Sequence, residues 1–208
     1  MSDLSDFRAS KDYFFRRDHQ APLTPAQQSS FNGLKYYDEN PALRFAVEPD
    51  PFDEQEVVEM QASTGAVASY LRWARVRFDI DGEDAELTVF RDTASGSFFL
   101  PFQNANAGGE TYGAGRYLEV EQLEQGKLSV DFNYAYNPYC AYNEQWSCPI
   151  PPAENRLTVA IRAGEQTFDD EHQPPALTDA RLVRRQRSTP AAGALGRLTA
   201  RPQATTCP

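Results

Sequence analysis

Histidine is almost missing from this chain: His19 and His172 are the only two in 208 residues. Lysine is nearly as scarce, at Lys11, Lys35 and Lys127. Cysteine stops at Cys140, Cys148 and Cys207. Each shortage excludes something. A structural zinc centre needs four nitrogen or sulfur ligands, and the two histidines lie far from Cys140 and Cys148, which themselves lack CxxC spacing. No metal and no cofactor are therefore expected. Three cysteines make no disulfide framework. Cys140 and Cys148 read first as buried structural thiols, then as a small-loop disulfide, and last as nucleophiles, because no histidine lies near to serve as base.

Two further absences bound the partners. No apolar run has the length needed to span a bilayer, and Met1 to Asp18 carries charge throughout, with no apolar leader. A cytoplasmic protein is the default expectation. There is also no basic excess: the formal charge is −10. Nucleic acid and anionic membrane both need a basic face, so neither is expected as a partner.

What the chain does have is aromatic and polar. Its 13 Phe, 10 Tyr and 2 Trp are enough to build a core within one domain. Residues 3 to 19 read as a helix with Leu4, Phe7, Phe14 and Phe15 on one face and Arg, Lys and Asp on the other. Thr24, Pro25 and Gln27 form a capping-box signature for a second short helix ending near Ser30. From Phe31 the apolar period becomes two. Strands are expected at Leu34–Tyr37, Ala42–Glu48 and Val57–Ala62. The clearest alternation runs from Ala74 to Asp81, and Asp81-Gly82 supplies the turn to a returning strand with Ala85, Leu87 and Val89. Phase slips at Leu71 and Trp73, which predicts a bulge there. Ser97–Phe102 is an apolar strand whose Pro101 implies an edge or a strand end. Arg116–Val120 and Lys127–Asn133 read as a second hairpin, and Leu157, Val159 and Ile161 as a closing strand.

The fold class is therefore mainly β: an antiparallel sandwich or partly open barrel with an N-terminal helix and a long ordered irregular segment. Residues 1–30 form the helical segment and 31–170 the β domain. Residues 171–208 read as a disordered basic tail, rich in Arg, Pro, Ala and Thr.

The irregular segment, 131–157, is where function is sought. It crowds Tyr134, Tyr136, Tyr139, Tyr142 and Trp146 among Asn133, Asn137, Asn143 and Asn155. Such a composition satisfies a buried loop's own backbone, and it equally lines small-molecule pockets. If the apolar faces of the second hairpin pair, Arg116 shares the core side with Leu118 and Val120. A buried guanidinium needs partners, so Arg116 sits at the rim beyond the core, or a carboxylate meets it, Glu110 or Glu154, or it points at a ligand. Asp131 and Asn133 share a strand face; they orient a ligand hydroxyl or cap the turns that follow. The loop 103–115, with four glycines, reads as tight turns or close backbone approach. Gly113-Ala114-Gly115 is no dinucleotide fingerprint, because it precedes a strand.

Several stretches match a known pattern. Phe31-Asn32-Gly33-Leu34-Lys35-Tyr36-Tyr37, Phe99-Leu100-Pro101-Phe102, Glu110 through Leu118, and Asp131 through Leu157, ending near Ala163-Gly164-Glu165, resemble a prokaryotic family catalogued only as domain of unknown function number 1684. That resemblance implies no chemistry. The reading that follows from the residues is a small-molecule-binding domain. Its candidate ligand-binding residues are Glu110, Tyr112, Arg116, Asp131, Asn133, Tyr136, Asn137, Tyr142, Glu154 and Asn155, and its expected ligand is small and anionic or hydroxyl-rich. A metal-independent hydrolase or lyase using two of Glu110, Asp131 and Glu154 is the alternative, and a self-satisfied structural or interaction module is a third.

Overall fold

The computed structural model describes residues 3–168. The expected basic tail lies outside the described residues. Helix α1, Asp3–Arg17, opens the chain. Helix α2, Pro25–Ser30, starts on the capping box the sequence announces. The Thr24 hydroxyl accepts from the Gln27 amide, and the Thr24 amide donates back to the Gln27 side chain at 2.8 Å. The strands are β1 Arg44–Val47, β2 Asp50–Pro51, β3 Val57–Gln61, β4 Val67–Ile80, β5 Glu83–Asp92, β6 Phe98–Phe102, β7 Arg116–Leu118, β8 Glu121–Gln122 and β9 Leu128–Asp131.

They make two antiparallel sheets. The larger runs β2-β4-β5-β6-β7, with β3 also paired to β4; the smaller runs β1-β9-β8. The sheets do not close on each other, so the architecture is a sandwich rather than a barrel. Alternation explains the central hairpin. Ala74, Val76, Phe78 and Ile80 of β4 are buried with Ala85, Leu87 and Val89 of β5, while Arg75, Arg77 and Asp79 face outward. Asp81 and Gly82 both take positive φ, the backbone a two-residue hairpin turn requires. The predicted bulge is there: the register shifts between Arg72 and Ala74. The main core lies between the sheets, where Leu43, Val47, Leu128 and Val130 face Val76, Leu87, Leu100 and Leu118. Phe132 packs edge-on to Phe45, Phe78 and Phe102. A second, aromatic core sits under α1, where Phe15, Phe31, Tyr112, Tyr117 and Tyr142 meet Cys140 and Cys148.

Four expectations change. Leu34–Tyr37 is not a strand; its backbone zips irregularly onto 164–166, with Tyr37 N donating to Gly164 O and Gln166 N to Lys35 O. Ala42–Glu48 begins as a 3-10 turn, Pro41–Leu43, because the Asn40 side chain caps the Ala42 amide. The second hairpin is shorter and differently wired. β7 pairs with β6, not with β9, and only Glu121 and Gln122 pair with β9. The chain crosses from one sheet to the other at Glu119 and Val120. Leu157, Val159 and Ile161 form no strand: Leu157 N donates to Gln103 O, and Ala105 N to Val159 O, in an irregular two-segment contact.

Pro101 illustrates how the irregular segment completes the sheet. The β5–β6 register pairs Phe90 with Phe99. Continued two residues further, it would set Thr88 opposite Pro101, which has no amide to donate. The Asn155 side chain fills that gap. Its Oδ1 accepts from Thr88 N at 2.8 Å, and its Nδ2 donates to Thr88 O at 2.8 Å and Pro101 O at 2.7 Å. Pro101 therefore sits near the end of an interior strand, with an amide side chain standing in for the ladder.

Candidate functional site

The polar residues singled out by sequence separate into three places. The first is a buried centre around Arg116, which is fully buried. Among the described residues no carboxylate meets its guanidinium, and Glu110 and Glu154, the expected partners, pair with Arg162 and Arg72. Instead Nη1 donates to Ala163 O at 2.6 Å and Glu165 O at 2.9 Å, and Nη2 to Ile161 O at 2.9 Å and Asn104 Oδ1 at 3.2 Å. Its face rests on the Phe102 ring. The guanidinium gathers the carbonyls of 161–165, a stretch with no sheet to satisfy them. Burial pushes its pKa down to about 10. Gly164, at φ +74, is essential to this curl: a Cβ there would lie 2.4 Å from Ala135 O.

Glu165 follows directly, and its side chain is equally buried. Lys11 of α1 donates to Oε1 at 2.5 Å, the Asn137 amide donates to Oε2 at 2.9 Å, and the Tyr142 hydroxyl donates to Oε2. Burial and the adjacent carboxylate raise the Tyr142 phenol far above its ordinary value, so it serves as a donor. Asn137 Nδ2 donates to Gln166 O at 2.8 Å. Sequence reasoning missed Lys11 and Glu165. One signal existed: the α1 pattern is imperfect because Arg8, Lys11 and Asp12 lie toward the body rather than away from it. Arg8 stacks on Tyr36, and Asp12 accepts from Leu34 N at 3.0 Å. Tyr112, in the same region, sets its hydroxyl 3.8 Å from Cys140 Sγ.

The second group is the remaining carboxylates, each held by its own arginine. Glu110 takes Arg162 in a two-pronged contact at 2.9 Å and 2.9 Å and accepts from Tyr37, which lowers its pKa. Glu154 accepts from Arg72 and Thr88; burial raises its pKa, but those two donors outweigh it and the net shift is downward. Asp131 takes Arg44 at 2.5 Å. Among the described residues no hydrogen bond links any two of the three.

The third place is open. A cleft of about 810 Å³ lies between the start of α1 and the smaller sheet. Its walls are Asp3, Leu4 and Phe7 of α1, Arg44 of β1, Ser129 and Asp131 of β9, Leu118, Glu119, Glu121, Glu39, Tyr134 and Tyr136. Phe7 and Tyr134 meet edge to face at 5.1 Å. Tyr136 is shared between this cleft and the buried centre, since Lys11 lies over its ring at 4.7 Å while its hydroxyl reaches Glu119 at 3.5 Å. Asp131 and Asn133 do cap a turn. Asp131 Oδ1 accepts from Asn133 N and Nδ2 at 3.0 and 2.7 Å, and Asn133 exchanges bonds with Asn40 N and O. Arg44 also donates to Glu39 at 3.1 Å, and these carboxylates, Asp131 foremost, raise its pKa. Five carboxylates against one guanidinium leave the cleft four charges negative. The Tyr134 phenol is raised by burial first, then by Asp131 and Asp3.

Of the ten candidate residues, only Asp131 and Tyr136 line this cleft. Arg116, Asn133, Asn137, Tyr142 and Asn155 serve the protein's own backbone and charges. Phe7, Arg44, Glu119 and Glu121 went unnoticed because they come from separate elements.

The family signature described as "Protein of unknown function (DUF1684)" matches residues 29–166. The chain belongs to that family. A solution NMR structure of an uncharacterized protein from Haloarcula marismortui is similar, with 38% identity and a TM-score of 0.64, covering 81% of this chain and 94% of that one. No curated protein matches the chain. All three comparisons leave activity open, so the chemistry rests on the site itself.

Proposed function

We propose that this protein binds a small organic cation, such as an amine or quaternary ammonium, including hydroxyl-bearing ones, in the cleft between α1 and the smaller sheet. The observation that carries this reading is the cleft's combination of size, aromatic lining and unbalanced charge. About 810 Å³ falls within the range of small-molecule sites. Phe7, Tyr134 and Tyr136 offer ring surfaces, and cations are attracted to such faces. Glu119 and Glu121 add charge that no guanidinium of the cleft bonds. An anion would meet four net negative charges here, so this reading takes up the hydroxyl-rich ligand of the sequence-based expectation rather than the anionic one.

Calorimetric titration with choline, a short aliphatic diamine, a polyol and a dicarboxylate tests it. The cations are expected to bind and to weaken with salt, while the dicarboxylate stays silent. Tyr134→Ala and the double variant Glu119→Gln/Glu121→Gln are expected to lose the cation. Equal binding of cation and dicarboxylate, or none by either at millimolar concentration, overturns the reading.

A further inference from the structure

The second core holds two thiols that the cleft reading does not use. Cys140 lies in the 3-10 turn Tyr139–Ala141, and Cys148 immediately precedes Pro149. Both are free and buried. The Cys140 amide donates to Cys148 Sγ at 3.3 Å, which brings the second sulfur against the backbone of the first cysteine. The Tyr112 hydroxyl lies 3.8 Å from Cys140 Sγ, and the Ser63 hydroxyl donates to Trp146 O at 3.3 Å. Ser63 is fixed in turn, with its Oγ accepting from Cys148 N and its amide donating to Cys148 O at 3.0 Å. One hydroxyl thus faces Cys140 Sγ, while the second sulfur accepts from the Cys140 amide.

We propose that Cys140 and Cys148 are a reversible thiol–disulfide pair that exchanges with low-molecular-weight disulfides, Cys140 attacking first and Cys148 resolving. Several observations fix the order. The Tyr112 hydroxyl beside Cys140 favours its thiolate. Its neighbours, Cys148 foremost, hold its pKa down to about 7. Cys140 is also the more exposed of the two, at 7% against 1%. In the first step the Cys140 thiolate attacks one sulfur of the small disulfide. That S–S bond breaks, a mixed disulfide forms on Cys140, and one thiolate leaves. In the second step Cys148 gives its proton to solvent and attacks Cys140 Sγ, expelling the other half as a second thiolate. Two protein thiols are oxidised and one small disulfide is reduced to two thiols; excess small thiol reverses both steps. The product ties residues 140–148 into a closed loop at the patch where Tyr142 packs edge-on against Phe15 of α1.

The test uses the full chain carrying Cys207→Ser, so that no third thiol reports, with cystamine as the oxidant. Folded protein is expected to lose both alkylatable thiols without gaining an adduct. The tryptic peptide 128–156, which contains both cysteines, is expected to become lighter by two hydrogens and to recover on reduction. Adding Cys148→Ser is expected to trap a cysteamine adduct on Cys140, with a rate half-maximal near the pH at which Cys140 titrates. Adding Cys140→Ser is expected to slow adduct formation on Cys148 at least about tenfold, since thiolate fraction sets the rate. The proposal is overturned if folded protein keeps both thiols under conditions that oxidise the urea-unfolded chain. It is equally overturned if the two single-cysteine variants react alike.

Discussion

Arg116 and Arg44 are the same side chain in opposite settings. Arg116 is fully buried and bonded only to neutral oxygens, three carbonyls and an amide. The Arg44 side chain is half exposed and bonded only to carboxylates, Asp131 and Glu39. Burial lowers the first pKa, and Asp131 raises the second. The contrast separates architecture from surface chemistry. The Arg116 centre is closed, with its two terminal nitrogens holding the 161–165 segment, where no strand forms. The Arg44 cleft is open, and its charges do not balance. Polar crowding in the irregular segment therefore has two causes, and only the second leaves room for a guest.

Substitution should break the comparison unequally. Arg116→Met would orphan three buried carbonyls and an amide oxygen. Breaking such a buried charged network costs roughly 3–5 kcal/mol, a large part of a domain's ~5–15 kcal/mol. Denaturant titration should show that loss or an insoluble protein. Arg116→Lys should fare nearly as badly, because an ammonium lacks the planar fork that spans Ala163, Glu165 and Ile161. Arg44→Ala should cost no more than about 1 kcal/mol, as exposed ion pairs do. Equal losses at the two arginines would dissolve the distinction.

Lys11→Met probes the edge of the closed centre. It leaves the buried Glu165 with only the Asn137 amide and the Tyr142 hydroxyl. A loss of about 3 kcal/mol is expected, with faster hydrogen exchange across α1. Adding Glu165→Gln should recover part of it, which a double-mutant cycle reads directly. Gly164→Ala should cost at least about 2 kcal/mol through backbone strain. Gly109→Ala should be within about 0.5 kcal/mol, since its Cβ would meet nothing closer than 3.9 Å.

The closed side also predicts a pH dependence. Cys140 titrates lower when folded, near 7, than its ordinary value of 9.0. Between those values the unfolded chain binds more protons, so stability rises with pH across that window and falls as pH drops toward 7. The gain is on the order of 2 kcal/mol. Cys140→Ser should flatten the slope measured by urea unfolding in reducing buffer.

What the sequence announced was whatever is coded locally. Alternation at Ala74–Ile80, the Asp81-Gly82 turn, the slip at Trp73 and the Thr24 capping box all depend on residues within a few positions of each other. The segments 31–40 and 157–168 were misjudged because their hydrogen bonds run to each other and to Gln103 without a period. Arg116 was legible as buried but not as bonded to main-chain carbonyls. Charge reasoning searches for an acid, whereas main-chain carbonyls carry no letter in the sequence. Lys11 and Glu165 lie 154 positions apart and left only an uneven helix face as a trace. The cleft was half legible, through Asp131, Tyr134 and Tyr136. Phe7, Arg44, Glu119 and Glu121 join it only after the chain has crossed between sheets.

That crossing sets up the smallest stability effect and the sharpest functional one. Glu119 and Glu121 are exposed, and neither bonds a cation within the described residues. Replacing both by Gln should change stability by no more than about 0.5 kcal/mol, and relief of repulsion with Asp131 and Glu39 could make the sign favourable. The same change halves the cleft's net charge, from four negative to two. If the cleft recruits a cation, affinity must fall while the denaturation curve stays in place. A variant that binds as before would show the carboxylates to be ordinary solvated surface, and the open side of the molecule would then be as silent as the closed one.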